Sequence, residues 1–309
     1  MISPFEYQKG DAFRLRPLAS NGHWRHHLLD FPVAFPGIFQ DGNTALAEYF
    51  EPVSAGKAPL VVFIHGWGDH SAIPFKVMAR GMAARGTHAV LLYLPFHSRR
   101  MPAEMKKRSP YLENDEWFAG YRIGVTDARQ VLDWAETRPE IDPARMTVVG
   151  LSLGSFMGSI AMGIDQRVKA GVFIVSGGNA TKITRLSRFS VFRRRYQLPQ
   201  EQYDATQAQY AAYLQRVEKE GLENVEPPDR NFLVDALTYA HRLRNRPVLM
   251  LNAVWDEFIP RETTLEFQRA CGECPLVWYP TTHSTIWAFY PSIAGRVQRF
   301  LGVSPGARA

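Results

Sequence analysis

Cysteine is almost absent from this sequence. The 309 residues include only two, Cys271 and Cys274, in the order Cys-Gly-Glu-Cys. Two cysteines cannot build a disulfide framework or a four-cysteine zinc site, and this pair lacks the strand-then-helix setting of a thioredoxin-type redox motif. We therefore predict a loop between a helix and a strand at this place, in a reduced, cytoplasmic protein.

Long apolar runs are missing as well. No stretch approaches the roughly 18 apolar residues of a membrane-spanning helix, and the first nine residues do not show a secretory signal pattern. The net charge of +6 is mild for this length, and no basic repeat or nucleic-acid motif accompanies it. We expect neither a membrane nor a nucleic acid as partner, and a monomer or homodimer.

Short apolar segments alternate with helical patterns along most of the chain. Strands are predicted at residues 59–64, 89–94, 146–151, 168–176, 248–254 and 276–279. Helices are predicted at residues 74–85, 117–137, 155–162, 261–270 and 286–301. Continuous apolar strands that alternate with helices indicate a mostly parallel, doubly wound α/β sheet with helices on both faces.

The N-terminal part has a different pattern. Residues 31–35 and 45–52 alternate as strands do, and the turn from Gln40 to Asn43 between them indicates a hairpin. Three histidines fall within residues 23–27. Because no carboxylate or cysteine stands at ligand spacing, we interpret them as a surface cluster and predict no metal site.

Residues 179–245 interrupt the alternation. No parallel-strand pattern occurs there, and residues 179–200 contain no acidic side chain but six basic ones: Lys182, Arg185, Arg188, Arg193, Arg194 and Arg195. We predict a helical cap insertion at 179–245, with a core formed by residues 1–178 and 246–309. The basic run indicates a solvated face; recognition of an anionic substrate group, which arginine suits, is the alternative.

The most informative stretch is Gly150-Leu151-Ser152-Leu153-Gly154, where an apolar strand enters a Gly-x-Ser-x-Gly turn and a small-residue helix leaves it. This is the strand–turn–helix setting of a nucleophile elbow. The turn strains its central residue, so the flanking positions must be nearly free of side chain. A glycine-rich turn that only packs a helix on a strand is the alternative.

An acid and a histidine also follow predicted parallel strands. Asp256 comes directly after one strand and His283 after the last. Carboxyl ends of parallel strands meet at one edge of a sheet, so both can converge on Ser152. Ser152 needs a base to take its proton, His283 is suited to that role, and Asp256 would orient His283. Glu257 is a rival for the acid.

The turn after the first parallel strand, His65-Gly66-Trp67-Gly68, is the candidate oxyanion loop. We predict that the N–H groups of Trp67 and Leu153 form the oxyanion hole. His65, Gly66 and His97 are predicted to line the substrate pocket. For His97, as for His70, a structural role is the alternative, and Asp69 is interpreted as a turn-former.

These motifs resemble those of the α/β-hydrolase superfamily, over residues 31–301 outside the insertion. His65 to Gly68 resembles its oxyanion loop, Gly150 to Gly154 its elbow, Asp256 its acid and His283 its base. The segment from residue 127 to 145 is similar to the branch of esterases, dienelactone hydrolase and prolyl-oligopeptidase-type enzymes. The chain departs from the superfamily at residues 94–97, where the common Asp-x-x-Gly-x-Gly pattern is missing.

The resemblance implies an α/β-hydrolase fold and serine hydrolase chemistry without a metal or organic cofactor. We predict a carboxylesterase-type enzyme that acts on a small-molecule ester through a Ser152–His283–Asp256 triad. A thioesterase or a small peptidase with the same triad is an alternative, and so is a binding protein that kept the fold but lost turnover. A haloalkane dehalogenase or epoxide hydrolase is disfavoured because the elbow carries a serine.

Overall fold

The computed structural model describes residues 3–39, 42–53, 56–68, 72–107 and 112–303. Their strands form one sheet in the order β1-β2-β3-β5-β4-β6-β7-β8-β9. The strands are β1 (Arg14–Ser20), β2 (Trp24–Pro32), β3 (Thr44–Pro52), β4 (Ala58–Ile64), β5 (His88–Tyr93), β6 (Ile141–Leu151), β7 (Val168–Ile174), β8 (Val248–Ala253) and β9 (Leu276–Tyr279). The pairings from β1 to β3 and between β3 and β5 are antiparallel, and all the others are parallel.

Helices cover both faces of this sheet. They are α1 (Ile73–Ala83), α2 (Asn114–Glu136), α3 (Leu153–Ile164), α4 (Ala180–Leu186), α5 (Ser190–Tyr196), α6 (Gln200–Glu220), α7 (Ala236–Tyr239), α8 (Arg261–Ala270) and α9 (Tyr290–Phe300). Strand β4 shows why two layers are needed, because its buried side chains alternate between two apolar clusters. Val62 packs with α2 and α3, whereas Phe63 packs with α1 and α9. The predicted α/β class with a mostly parallel sheet is confirmed.

The antiparallel side differs from the prediction. Strand β2 begins at Trp24, β1 was not predicted, and residues 33–35 lie outside any strand. Of the histidines interpreted as a surface cluster, His23 is exposed just before β2 and His27 is half-buried, but His26 is buried with its Nε2 2.8 Å from Glu48 Oε2. The local sequence does not distinguish a buried histidine that bonds a carboxylate on another strand from an exposed one, which explains why the prediction fails at His26. Gln40 and Asp41 of the predicted turn lie outside the described residues.

Strand β6 also begins earlier than predicted. The sequence predicts this strand from residue 146, but β6 begins at Ile141, which pairs with Ala58. The register then shifts, so that the next pair is Met146 with Leu60. The shift takes Pro143 out of the hydrogen-bond ladder, which is how a strand tolerates proline.

The chain between β7 and β8 is helical, as predicted. It contains α4 to α7 and short 3-10 turns. Tyr239 of α7 lies against α3, where a Cβ added to Gly163 would be 2.8 Å from its Cβ. Tyr210, Tyr213 and Val217 of α6 belong to the same apolar cluster as α3. Part of this segment therefore shares a core with the sheet.

Among the described residues, the structure shows neither a membrane-spanning helix nor a disulfide bond. None of their helices has both the length and the apolar character required to span a bilayer. Cys271 and Cys274 are buried, unbridged and located between α8 and β9, where the sequence predicts a loop.

Candidate active site

The centre of the site is Ser152, which lies between the last residue of β6 and the first residue of α3. Its backbone has a φ of 49° and a ψ of −118°, a combination that residues other than glycine rarely adopt. Its N–H donates to the carbonyl of Ile174 at 2.8 Å. This hydrogen bond to the neighbouring strand helps to hold the strained turn at the carboxyl edge of the sheet.

Two glycines are required because backbone segments approach one another closely beside Ser152. A Cβ on Gly154 would lie 2.1 Å from the carbonyl oxygen of Ile64 and 2.4 Å from that of His65. A Cβ on Gly150 would lie 2.4 Å from the carbonyl oxygen of Gly154. The glycine spacing therefore determines how closely α3 packs on the end of β4.

Replacing Gly154 by alanine is expected to lower the free energy of unfolding by about 3 kcal/mol or more, because the new methyl group overlaps two backbone carbonyls. Urea unfolding followed by circular dichroism measures the change. Gly10→Ala is the matched control, since a Cβ there meets nothing within 4 Å, and it should shift stability by only about 0.5 kcal/mol. Equal stability of the two variants would contradict the close approach.

Asp256, His283 and Ser152 form a continuous row of hydrogen-bonding groups. His283 Nε2 is 2.9 Å from Ser152 Oγ, and His283 Nδ1 is 2.9 Å from Asp256 Oδ2. Asp256 Oδ1 accepts the N–H groups of Phe258 at 2.9 Å and Ile259 at 2.7 Å. With the proton on Nδ1, facing the carboxylate, Nε2 is free to accept the serine hydroxyl proton.

Glu257 has a different position from its neighbour. Its side chain accepts the backbone N–H of His283 at 2.8 Å and that of Ser284 at 3.1 Å. Asp256, by contrast, is the carboxylate at the imidazole. The sequence predicts Glu257 only as a rival for the acid and does not predict its contact with residues 280–285, which we call the histidine loop. Only the position of Glu257 beside Asp256 could have suggested this contact.

The candidate oxyanion loop lies close to Ser152. A Cβ on Gly66 would be 3.2 Å from Ser152 Cβ and 3.2 Å from the carbonyl oxygen of Leu151, so the backbone that leads into Trp67 passes beside Ser152. Leu153 is the first residue of α3, where an N–H has no acceptor within the helix. The oxyanion role of both N–H groups stays a prediction.

His65 and His97 lie beneath this loop. They are 0% and 2% exposed, and the His97 ring packs against Trp67 with 4.7 Å between centroids. His65 Nε2 accepts the N–H of Leu94 at 3.1 Å, so its Nδ1 carries the proton toward the carbonyl of Gly66, 2.7 Å away. Their contact with a substrate stays a prediction. Asp69 and His70 lie outside the described residues.

Burial, together with the nearby His97 and Arg100, lowers the pKa of His65 to about 3, although the hydrogen bond to the carbonyl of Gly66 opposes the shift. Its ordinary value is 6.5, so unfolding takes up a proton below that pH. The contribution of His65 to stability is complete above pH 6.5 and is lost as the pH falls toward 3.

Between pH 7 and pH 5, His65 should therefore account for a loss of about 2 kcal/mol in the free energy of unfolding. Urea unfolding at both pH values, on the wild type and on His65→Gln, isolates this contribution from the other histidines. The variant should lose about 2 kcal/mol less than the wild type over this range. The same loss in both proteins would contradict the assignment.

A short segment after α4 connects the two sides of the site. We call residues 187–196 the strap. At its first end, the ring of Phe189 packs on Phe258 at 4.4 Å, and Phe258 packs on His283 at 5.0 Å. At its other end, Tyr196 lies 6.1 Å from Trp117, whose ring is 5.5 Å from Trp67.

The strap thus lies between the histidine side and the oxyanion-loop side of Ser152. Phe258 and Trp117 were not predicted as site residues. An aromatic side chain in a helix or a loop is usually interpreted as part of the hydrophobic core. In the described part of the chain, no group of three His, Cys, Asp or Glu side chains is arranged to hold a metal ion.

Sequence comparison relates the chain to known proteins. The sequence model of the family described as Alpha/beta hydrolase domain containing 18 matches residues 31–293. The poly(3-hydroxyalkanoate) depolymerase C of Paucimonas lemoignei is 28% identical over 138 residues. That match covers 44% of this chain and 32% of the depolymerase, so the chain aligns with about a third of that relative's length.

Solved structures share the fold. A cold-adapted esterase from an Arctic intertidal metagenomic library matches with a TM-score of 0.59 at 17% identity, over 94% of this chain and 99% of the esterase. Acetyl xylan esterase 1 from a Thermoanaerobacterium species matches with a TM-score of 0.65 at 17% identity, over 98% and 92%. An acylaminoacyl peptidase from Pyrococcus horikoshii matches with a TM-score of 0.60 at 14% identity, over 97% and 44%. At such identities the likeness concerns the fold.

Proposed function

The chain belongs to the Alpha/beta hydrolase domain containing 18 family, and we propose that it cleaves carboxylic esters through an acyl-enzyme on Ser152. The resemblance to α/β-hydrolases predicted from the sequence is confirmed by this membership. The observation that carries the proposal is the row of hydrogen bonds from Ser152 Oγ through the imidazole of His283 to the carboxylate of Asp256.

In the proposed reaction, Ser152 Oγ attacks the ester carbonyl carbon while His283 Nε2 takes the hydroxyl proton. The N–H groups of Leu153 and Trp67 stabilise the oxyanion of the tetrahedral intermediate. His283 then gives its proton to the departing alkoxide, which leaves as the alcohol. Water repeats the sequence on the acyl-enzyme: His283 takes a proton from it, the acid leaves, and Ser152 is restored. Asp256 stabilises the imidazolium in both halves.

The proposal is tested by labelling the wild type with a fluorophosphonate probe and by measuring kcat and KM on p-nitrophenyl esters of increasing acyl length. We expect labelling at Ser152 and ester turnover, with weaker turnover of aminoacyl amides. Faster turnover of acyl thioesters than of matched oxygen esters would favour the thioesterase alternative. A folded wild type that is neither labelled nor active would contradict the proposal.

A second candidate substrate is an ester held in a water-insoluble polyester. Five exposed apolar side chains lie in the segments that follow β4, β7 and β8: Trp67, Ile73, Leu186, Phe189 and Trp255, with 36–57% exposure. Exposed large apolar side chains on the segments that leave the carboxyl ends of the strands support a surface that binds another apolar surface. A curated relative is a poly(3-hydroxyalkanoate) depolymerase, and a poly(3-hydroxyalkanoate) is therefore the polyester we propose to test.

This candidate is tested by comparing the clearing of a poly(3-hydroxyalkanoate) suspension with the turnover of a soluble p-nitrophenyl ester. Trp255→Ser should lower the ratio of polymer clearing to soluble turnover, because Trp255, at 56% exposure, is the most exposed aromatic side chain of these five. An active esterase that does not clear the suspension would exclude the polymer.

The remaining predictions extend the proposal. We propose that residues 179–245 act as a cap, with the strap as the part nearest the site. Exposed Arg188, Arg193 and Arg194 on the strap support an anionic group on the substrate as an alternative to a solvated face. A cytoplasmic location, no cofactor and a monomeric or homodimeric state stay predictions.

A further inference from the structure

Glu257 is bonded to two separate parts of the site. Its side chain accepts the backbone N–H of His283 at 2.8 Å, and the N–H of Ser284 at 3.1 Å, and it also accepts the Ser284 hydroxyl. These bonds reach the backbone of the histidine loop. They are therefore independent of the contact that Asp256 makes with the imidazole ring.

The backbone of Glu257 holds the beginning of the strap. Its carbonyl oxygen lies 2.9 Å from the N–H of Arg188, 3.0 Å from the N–H of Phe189 and 3.0 Å from the hydroxyl of Ser187. The aromatic contact from Phe189 through Phe258 to His283 runs alongside these bonds. One residue thus connects the strap and the histidine loop.

Besides the Asp256 contact, the histidine loop is held by the N–H of Trp255 on the carbonyl of Thr281 at 3.0 Å and by the side chain of Glu257. The loop follows β9, a strand of four residues at the edge of the sheet, so the sheet restrains the backbone of this loop from one side only. A carboxylate bond at Nδ1 directs the ring but does not hold the backbone from which the ring extends. Bonds between a carboxylate and N–H groups are about twice as strong as bonds between neutral groups.

The ionisation of Glu257 agrees with this role. Burial raises the pKa of its carboxyl group, but the hydroxyl of Ser284, the N–H of Glu257 itself and the N–H groups of His283 and Ser284 outweigh burial and leave the pKa below its ordinary value. Glu257 is therefore a carboxylate at neutral pH, and it accepts the N–H groups of the loop as a charged group.

We propose that Glu257 is a positioning residue that holds the backbone of His283 and the first turn of the strap to the same point, so that the position of the strap and the alignment of His283 with Ser152 are coupled. The inference rests on the proposed function for its kinetic consequences. A misplacement of a reacting group by about 1 Å can cost about 100-fold in rate, which gives the scale of the effect expected when the anchor is removed.

The first test compares Glu257→Gln and Glu257→Ala with Glu262→Gln, an exposed carboxylate at the start of α8. On a p-nitrophenyl ester, Glu257→Ala should lower kcat about 100-fold with little change in KM. Glu257→Gln, which keeps one acceptor oxygen, should lower kcat about 10-fold. Glu262→Gln should match the wild type. Thermal unfolding verifies that the glutamine variant stays folded.

A double-mutant cycle with Phe189→Ala tests the coupling. The cycle combines Glu257→Gln with Phe189→Ala. If the strap and His283 share Glu257 as an anchor, the double variant should lose clearly less kcat than the product of the two single fold-losses. A double variant whose loss of kcat equals the product of the two single losses would overturn the inference. So would a Glu257→Gln variant that changes KM alone.

A spectroscopic readout separates this inference from the proposed function. The proton between His283 Nδ1 and Asp256 should give a downfield proton resonance in the wild type, without any substrate. We expect Glu257→Gln to shift or lose this resonance and Glu262→Gln to keep it. An unchanged resonance in Glu257→Gln would overturn the inference even if the wild type hydrolysed no ester, whereas an inactive wild type with the expected shift would contradict only the proposed function.

Discussion

Ser152→Ala is expected to lower kcat for ester hydrolysis by about a million-fold, the loss seen when the nucleophile of a serine protease triad is removed. The change removes Oγ, the atom 2.9 Å from His283 Nε2, and leaves no nucleophile that could form the acyl-enzyme. The free energy of unfolding should hardly change, because alanine keeps the backbone of the turn and removes only a hydroxyl. Steady-state kinetics and fluorophosphonate labelling measure the loss.

Ser20→Ala is the matched control, since Ser20 is exposed at the end of β1, far from the carboxyl edge of the parallel strands. It should keep the kcat, the labelling and the stability of the wild type. A Ser152→Ala variant that retained even 1% of wild-type turnover would show that another group performs the reaction, and the proposed acyl-enzyme would have to be abandoned.

Asp256→Asn is expected to lower kcat by about ten-thousand-fold, as the same change does in a serine protease. The N–H groups of Phe258 and Ile259 both donate to Oδ1, so the asparagine would keep its oxygen there. Its NH2 group would then occupy the position of Oδ2, which lies 2.9 Å from His283 Nδ1. A donor at that position favours the tautomer with the proton on Nε2, which cannot accept the proton of Ser152.

The measurement is kcat on a p-nitrophenyl ester at neutral pH, with Asp204→Asn as control, because Asp204 is exposed on α6. Thermal unfolding of both variants should show that Asp256→Asn is folded. If Asp256→Asn kept a tenth of the wild-type kcat while a Glu257 variant lost all activity, the assignment of the acid would pass to Glu257.

The parallel half of the fold was predictable because its signals are local. A strand buried on both faces is a continuous apolar run, as residues 59–64 show, and β4 covers the same place. The antiparallel half was less predictable because polar and charged side chains, such as His26, Asp30 and Glu48, are buried in its strands and interrupt the apolar pattern. In β2, the buried His26 lies opposite Phe50 and reaches diagonally to Glu48 of the same neighbouring strand, and nothing in the local sequence shows that partner.

The candidate site also has a part that local sequence predicts and a part that it does not. The sequence alone determined the elbow, since the strained φ of Ser152 and the backbone packed beside Gly150 and Gly154 demand those residue types at that spacing. It also identified the strands whose ends carry Asp256 and His283, because parallel strands end at one edge of a sheet whatever their separation along the chain.

Only the tertiary structure decided which neighbouring side chain takes which place. Asp256 and Glu257 are adjacent carboxylates, yet the first meets the imidazole and the second meets the backbone of the histidine loop. The strap and its contacts through Phe258 and Trp117 likewise became visible only in three dimensions. The physical reason is that direction and distance between groups far apart in the chain depend on packing, whereas backbone strain and strand burial act within a few residues.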